Sequence, residues 1–228
     1  MYRTVTLVGC GGVGSWLAEA VARYLASLPQ PPNLVIVDGD AYSRENAARQ
    51  RIGPQDIGVN KAIAIARRLS SILPELSIKP VDRFLGERNA AEIIGEESLT
   101  IAAPDNHATR LAISRRCQRL RNGAAVFAGN EMVDGAVQVY VRRNGRELQP
   151  PPERYHPEIA MPRDRSPAEM SCEEIAARPG GGQVIFANFT VAAIALNVVY
   201  ALLHGRVPTY TDVFVDVEQN RARATTYR

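Results

Sequence analysis

Apolar residues in this chain follow two rhythms. Short, mostly apolar runs at residues 4–8, 34–37, 77–81, 99–103 and 124–128 have the length and β-branched content of buried strands. Between them, residues 15–27, 60–73 and 107–121 place apolar positions at helical spacing, as Trp16, Leu17, Ala20, Val21 and Tyr24 do in the first. Residues 90–94 form a shorter helical piece, and Pro74 stops the second long helix. Strands alternating with helices predict parallel βαβ units: an α/β fold with a Rossmann-like, doubly wound, mostly parallel sheet. The rhythm changes after Gly129. Residues 136–142 alternate in the antiparallel manner. Residues 213–217 and 222–227 flank Gln219-Asn220 as a terminal hairpin, so the C-terminal part adds antiparallel strands. Residues 184–203 read as an apolar helix. Residues 144–182, rich in Pro, Arg and Glu, read as one long loop: a lid or the groove for a partner's tail, hinged by Gly180-Gly181-Gly182, or else a disordered excursion.

The length of 228 residues fits a single domain over 1–228, and 46% hydrophobic with 22% charged residues is ordinary for a globular protein. A net charge of +3 gives no reason to expect nucleic acid as a partner. The three cysteines, Cys10, Cys117 and Cys172, are too scattered for a disulfide framework, and without a CxxC pair no structural zinc is expected. A reducing, cytoplasmic setting suits them, and nothing before the first strand reads as a signal peptide. The apolar 184–203 stretch is interrupted by Asn188, Thr190 and Asn197, so it reads as a core or dimer-interface helix and no membrane is expected.

Candidate chemistry gathers at the strand ends. The first strand runs into Gly9, Gly11, Gly12 and Gly14 in VTLVGCGGVG, a turn that lets backbone lie against a phosphate at a helix N-terminus. Asp38 ends the second strand, where a carboxylate accepts ribose hydroxyls; Asp40, two residues on, is ambiguous. Asn46, Arg49 and Gln50 follow as N-x-x-R-Q. Lys61 stands at a helix start, where a cation opposes the dipole and is better explained by an anionic ligand. Asp105 and Asn106 end another strand at the sheet edge where α/β ligands bind, and Arg110 lies on the next helix. Together these describe a site for a triphosphate with a metal: Asp38 on the ribose, the glycine turn, Arg49 and Lys61 on the phosphates, Asp105 on Mg²⁺. There is no GxxxxGK[ST], so the chain is not a P-loop NTPase. An NAD-dependent oxidoreductase explains the glycines and Asp38 but leaves Asn46, Arg49, Lys61 and Asp105 without a purpose.

In order and spacing these motifs resemble the ThiF/MoeB family, adenylating enzymes related to ubiquitin-activating enzymes; the likeness covers residues 1 to about 130. The resemblance implies an ATP-dependent adenylyltransferase. It would convert the C-terminal glycine carboxylate of a small ubiquitin-like or sulfur-carrier protein to an acyl-adenylate, with release of pyrophosphate; a small molecule or a tRNA carbonyl is the competing substrate. It also implies a homodimer. A non-catalytic binder of nucleotide or of a ubiquitin-like tail is the other alternative. Many relatives supply an arginine to the partner subunit from a segment before the first strand. Here that strand begins almost at Met1, so the 144–182 segment or Arg51 is the expected substitute. Cys172 stands roughly where some relatives place a cysteine that accepts the activated carboxylate. Glu173 and Glu174 beside it disfavour a thiolate, so a nucleophile and an unreactive loop cysteine both stay open.

Overall fold

A computed structural model describes residues 2–170, 174 and 184–227. The alternating first part forms β1 (Thr4–Val8), α1 (Gly12–Ala26), β2 (Asn33–Val37), α2 (Lys61–Ile72), β3 (Ile78–Val81), α3 (Ala90–Ile93), β4 (Ser98–Ala102), α4 (His107–Gln118) and β5 (Gly123–Asn130). The second part adds β6 (Asp134–Arg143), β7 (Arg146–Gln149), α5 (Pro157–Ala160), α6 (Ile185–Leu203), β8 (Asp212–Asp216) and β9 (Arg221–Thr225). Among the described residues one sheet takes the order β3-β2-β1-β4-β5-β6-β8-β9, with β7 paired to β6. β1 to β5 run parallel; β6, β7, β8 and β9 pair antiparallel. The expected architecture is therefore present.

Parallel strands in the middle of such a sheet are covered on both faces, and β4 is buried at every position. One face packs under α1, α2 and α6, through Leu7, Leu17, Val21, Ile65, Leu69, Val191, Val198 and Leu202. The other packs under α3 and α4, through Ile94, Ile113, Cys117, Phe127 and Tyr140. Local signals set the helix ends. Asn60 caps α2 by accepting from Ile63 N at 3.1 Å, and Asn106 caps α4 by accepting from Thr109 N at 2.8 Å. α6 is long and apolar enough to cross a membrane by length and composition. Here it lies along α1, β5, β6 and β8, with Trp16 of α1 against Phe189 at 4.1 Å between ring centroids.

The 144–182 segment is not one loop. Its described part opens with β7, continues through short turns of helix at Pro152–Arg154, Pro157–Ala160 and Pro167–Glu169, and is fastened to the sheet. Periodicity missed these because each is three or four residues long and held by side chains. His156 Nε2 lies 2.6 Å from Asp212 Oδ1 on β8, His156 Nδ1 lies 3.3 Å from Glu158, and Tyr155 stacks on Tyr227. The Asp212 hydrogen bond, with the nearby carboxylates, outweighs burial and raises the His156 pKa above the ordinary 6.5. A raised folded-state pKa stabilises fully below the unfolded value and loses its effect as pH climbs through the folded one. The melting temperature of wild type should therefore exceed that of His156→Gln most at pH 5.5, with the gap shrinking from neutral pH to pH 9. A gap that widens with pH would show that the pair is held by something other than imidazolium. Gly180-Gly181-Gly182 and Cys172 lie outside the described residues.

Candidate active site

The strand order reverses between β1 and β4, and the crevice there is where ligands of doubly wound sheets bind. The glycine turn fills one lip. Gly9 has φ +88, and a Cβ on it would lie 2.6 Å from Ala103 O, at the end of β4. A Cβ on Gly14 would lie 1.8 Å from Gly9 O. Gly11 and Gly12 open α1 with their backbone toward the cleft. The cleft is large, about 1930 Å³, and reaches from Asp38 across the sheet's carboxyl edge to Phe214 and Arg223.

Asp38 ends β2 and is 8% exposed. Its Oδ2 accepts from Cys10 N at 2.6 Å and its Oδ1 from Asp40 N at 2.9 Å, so the carboxylate ties the glycine turn to the second strand. Burial raises its pKa, against Lys61 and these two backbone donors. Each oxygen keeps a lone pair for a further donor, as a ribose hydroxyl would be. Lys61, the first residue of α2, is buried with Nζ 2.5 Å from Asp40 Oδ2. The anion that explains a lysine at this helix start is, in the chain by itself, Asp40. Asp40 is half-exposed on the cleft wall, and Asn60 Nδ2 fixes its loop through the Asp38 and Asp40 carbonyls.

The N-x-x-R-Q string forms a short turn of 3-10 helix, Arg44–Ala48, and its end. Asn46 Oδ1 accepts from Ser43 N at 3.0 Å, which closes the turn. Arg49 O accepts from Trp16 Nε1 on α1 and from Asn188 Nδ2 on α6, so its backbone is held from two helices while Asn46, Arg49 and Gln50 line the cleft. Arg51 points elsewhere. It pairs with Glu19 at 2.8 Å, lies over the Trp16 ring, and is not among the residues lining the cleft.

Beyond β4, Asp105 is exposed and lines the cleft, with Asn106 Nδ2 3.5 Å from its Oδ1. His107 N and Ala108 N, at the start of α4, donate at 2.8 and 2.9 Å to the two carboxylate oxygens of Asp164 from the 157–170 segment. Arg110 lies one turn on, fully inside the wall. The structure thus brings together Gly9, Gly11, Gly12, Asp38, Asn46, Arg49, Gln50, Lys61, Asp105 and Asn106 along one cleft, with Gly14 buried beneath the turn. Sequence reading missed Asp40 as the lysine's counterion and left Arg110 without a role. A signal for Arg110 existed: Arg110, Ile113, Ser114 and Cys117 share the buried face of α4 at helical spacing. Asp164 carried no such signal.

The ThiF family model matches residues 3–226. The chain belongs to the ThiF family. It is 31% identical over 134 residues to the SAMP-activating enzyme E1 of Haloferax volcanii, a match covering 58% of this chain and 45% of that one. It is 30% identical over 146 residues to the molybdopterin-synthase adenylyltransferase of Escherichia coli, covering 62% of this chain and 55% of that one. The chain therefore matches about half the length of these curated relatives. Among solved structures, E. coli MccB with ATP superposes with a TM-score of 0.72 at 16% identity, over 98% of this chain and 63% of that one. That likeness establishes a shared fold.

Proposed function

We propose that this ThiF-family chain is an ATP-dependent adenylyltransferase that activates the C-terminal glycine carboxylate of a ubiquitin-like or sulfur-carrier partner. One observation carries the reading: a carboxylate for ribose, a glycine turn, two cations and a cleft-facing Asp105 line the switch-point crevice of a single sheet. The names of the two relatives, an E1 for SAMP and an adenylyltransferase for molybdopterin synthase, support the same class.

In this reading Asp38 accepts the ribose hydroxyls, and the glycine turn lets the phosphates lie against the N-terminal N–H groups of α1. Arg49 and Lys61 face the phosphates, Lys61 exchanging Asp40 for a stronger anion. Their charge favours departure of pyrophosphate, and most of the catalysis is positioning and charge neutralisation. No group of three or more potential metal ligands occurs among the described residues. Asp105, which lines the cleft, still suits Mg²⁺, which takes one or two carboxylates and completes its shell with phosphate oxygens and water. Bound there, Mg²⁺ would supply charge stabilisation on the phosphates.

The rest of the cleft suits a peptide tail. From β5 across β6 and β8 to β9 are three strand spacings, about 14 Å, or roughly four extended residues. Gly129, Ala136, Glu158, Ile159 and Ala168 line the cleft there. A homodimer belongs to the proposal. Exposed Phe186, Phe189 and Tyr200 on α6 support it, and light scattering at the monomer mass would count against it. So does a cytoplasmic location. The test of the activity is ATP–pyrophosphate exchange with Gly-ending candidate partners. Label returning to ATP only when such a partner is present supports the proposal; hydride transfer from NADH with no exchange contradicts it.

A further inference from the structure

Arg110 is the least explained charge in the cleft. It is 9% exposed, yet no carboxylate lies within salt-bridge distance of it among the described residues. Its Nε donates to Pro104 O at 3.3 Å and its Nη2 to Ala128 O at 3.2 Å. Pro104 follows β4 and Ala128 lies near the end of β5, so the guanidinium bridges the two strands beside Asp105. Its Nη1 makes no hydrogen bond among the described residues, although the side chain borders the cleft. Burial lowers its pKa to about 10, so it remains a cation at neutral pH. Asp105, Asp164 and Glu158 are the acids close enough to act on it. The backbone makes room for the group: a Cβ on Gly129 would lie 1.8 Å from Nη2. A buried cation held by two carbonyls is costly unless an anion completes it.

Its position says which anion. Along the carboxyl edge of the sheet the order is Lys61 with Asp40 beyond β2, the glycine turn beyond β1, Asp105 beyond β4, then Arg110 between β4 and β5. Arg49, tied to α1 and α6, stays on the glycine-turn side. In-line displacement at phosphorus puts the entering and leaving oxygens on opposite sides. If pyrophosphate departs toward Arg49 and Lys61, the entering oxygen comes from the β5 side, where the tail groove opens. We propose that Arg110 receives the substrate carboxylate and holds it for attack on the α-phosphorus; the inference rests on the adenylation reading above. In the step, a carboxylate oxygen forms the new O–Pα bond while the Pα–O–Pβ bond breaks. The electron pair leaves on pyrophosphate, and no proton is exchanged.

The test uses the full chain, with and without the unreactive analogue α,β-methylene-ATP and Mg²⁺. The probe is a fluorescent hexapeptide ending in Gly-Gly, as free acid and as C-terminal amide. Wild type should bind the acid about tenfold or more tighter than the amide, the scale of a charge-assisted hydrogen bond. Arg110→Met should reduce that preference to within twofold while keeping nucleotide affinity, and Arg110→Lys should restore part of it. A purely structural role would not separate acid from amide. If Arg110→Met fails to fold, Gly129→Ala keeps the arginine but displaces its Nη2, and should lose the preference likewise. The proposal is overturned if wild type shows no acid preference. It is overturned equally if Arg110→Met (or Gly129→Ala in its place) keeps the preference, or loses nucleotide affinity instead. Failure of wild type to bind the nucleotide analogue sinks the adenylation reading instead, and the acid–amide comparison without nucleotide still decides whether Arg110 receives a carboxylate.

Discussion

Replacing Gly14 by alanine is expected to destabilise the chain by more than about 3 kcal/mol, a value reached when a side chain is forced into packed backbone. The added Cβ would lie 1.8 Å from Gly9 O. Gly9 cannot withdraw easily. Its φ of +88 is a glycine conformation, its N–H donates to Val37 O at 2.9 Å, and its Cα faces the Ala103 carbonyl. Three strands therefore meet at one turn, and the disturbance spreads to β1, β2 and β4 together. Urea unfolding should show the loss as a lower midpoint with little change in slope. Gly11→Ala is the internal contrast. The nearest atom to its Cβ is Gln50 Nε2 at 4.0 Å, across the cleft mouth. That variant should keep its unfolding midpoint and lose nucleotide affinity, because the methyl group stands where a phosphate would approach. A Gly14→Ala midpoint equal to wild type would mean the turn relaxes freely, and with it the argument for a rigid phosphate loop would fail.

Asp105→Ala is expected to do the opposite: abolish function and spare the fold. The residue is exposed, so its removal should move the melting temperature by no more than about 2 °C. Pyrophosphate exchange should fall about 10²- to 10³-fold or more, the usual consequence of removing one preorganised charge stabiliser. Asp105→Asn should be nearly as poor, since it keeps the shape and loses the charge. Exchange at the wild-type rate in Asp105→Ala would remove this residue from the mechanism.

Much of this was legible before any coordinates. The parallel half could be read because each buried strand is a short apolar run and each covering helix repeats at 3.6 residues, so sequence and packing carry the same information. The observed helix α2 at Lys61–Ile72 and strand β4 at Ser98–Ala102 fall within three residues of the expected limits. The cleft was legible because glycines and acids at strand ends must gather at one edge of a parallel sheet. What stayed hidden depends on contacts distant in sequence. Asp164 reaches the start of α4 across 56 and 57 residues, and His156 meets Asp212 across 56; no local pattern announces either. The Asp40–Lys61 pair was hidden for a different reason. A helix-start lysine points to an anion, but not to whether that anion belongs to a ligand or to the chain.

In the proposed function this crevice takes a triphosphate with Mg²⁺ and not a dinucleotide. Thermal denaturation with 1 mM ATP·Mg²⁺, 1 mM NAD⁺ or neither tests it most directly. A ligand at about 100 times its dissociation constant stabilises by about 2.7 kcal/mol, which for a domain of this size is roughly 5–10 °C. ATP·Mg²⁺ should raise the melting temperature on that scale, and NAD⁺ should leave it within 1 °C. A shift with NAD⁺ and none with ATP·Mg²⁺ would contradict the account.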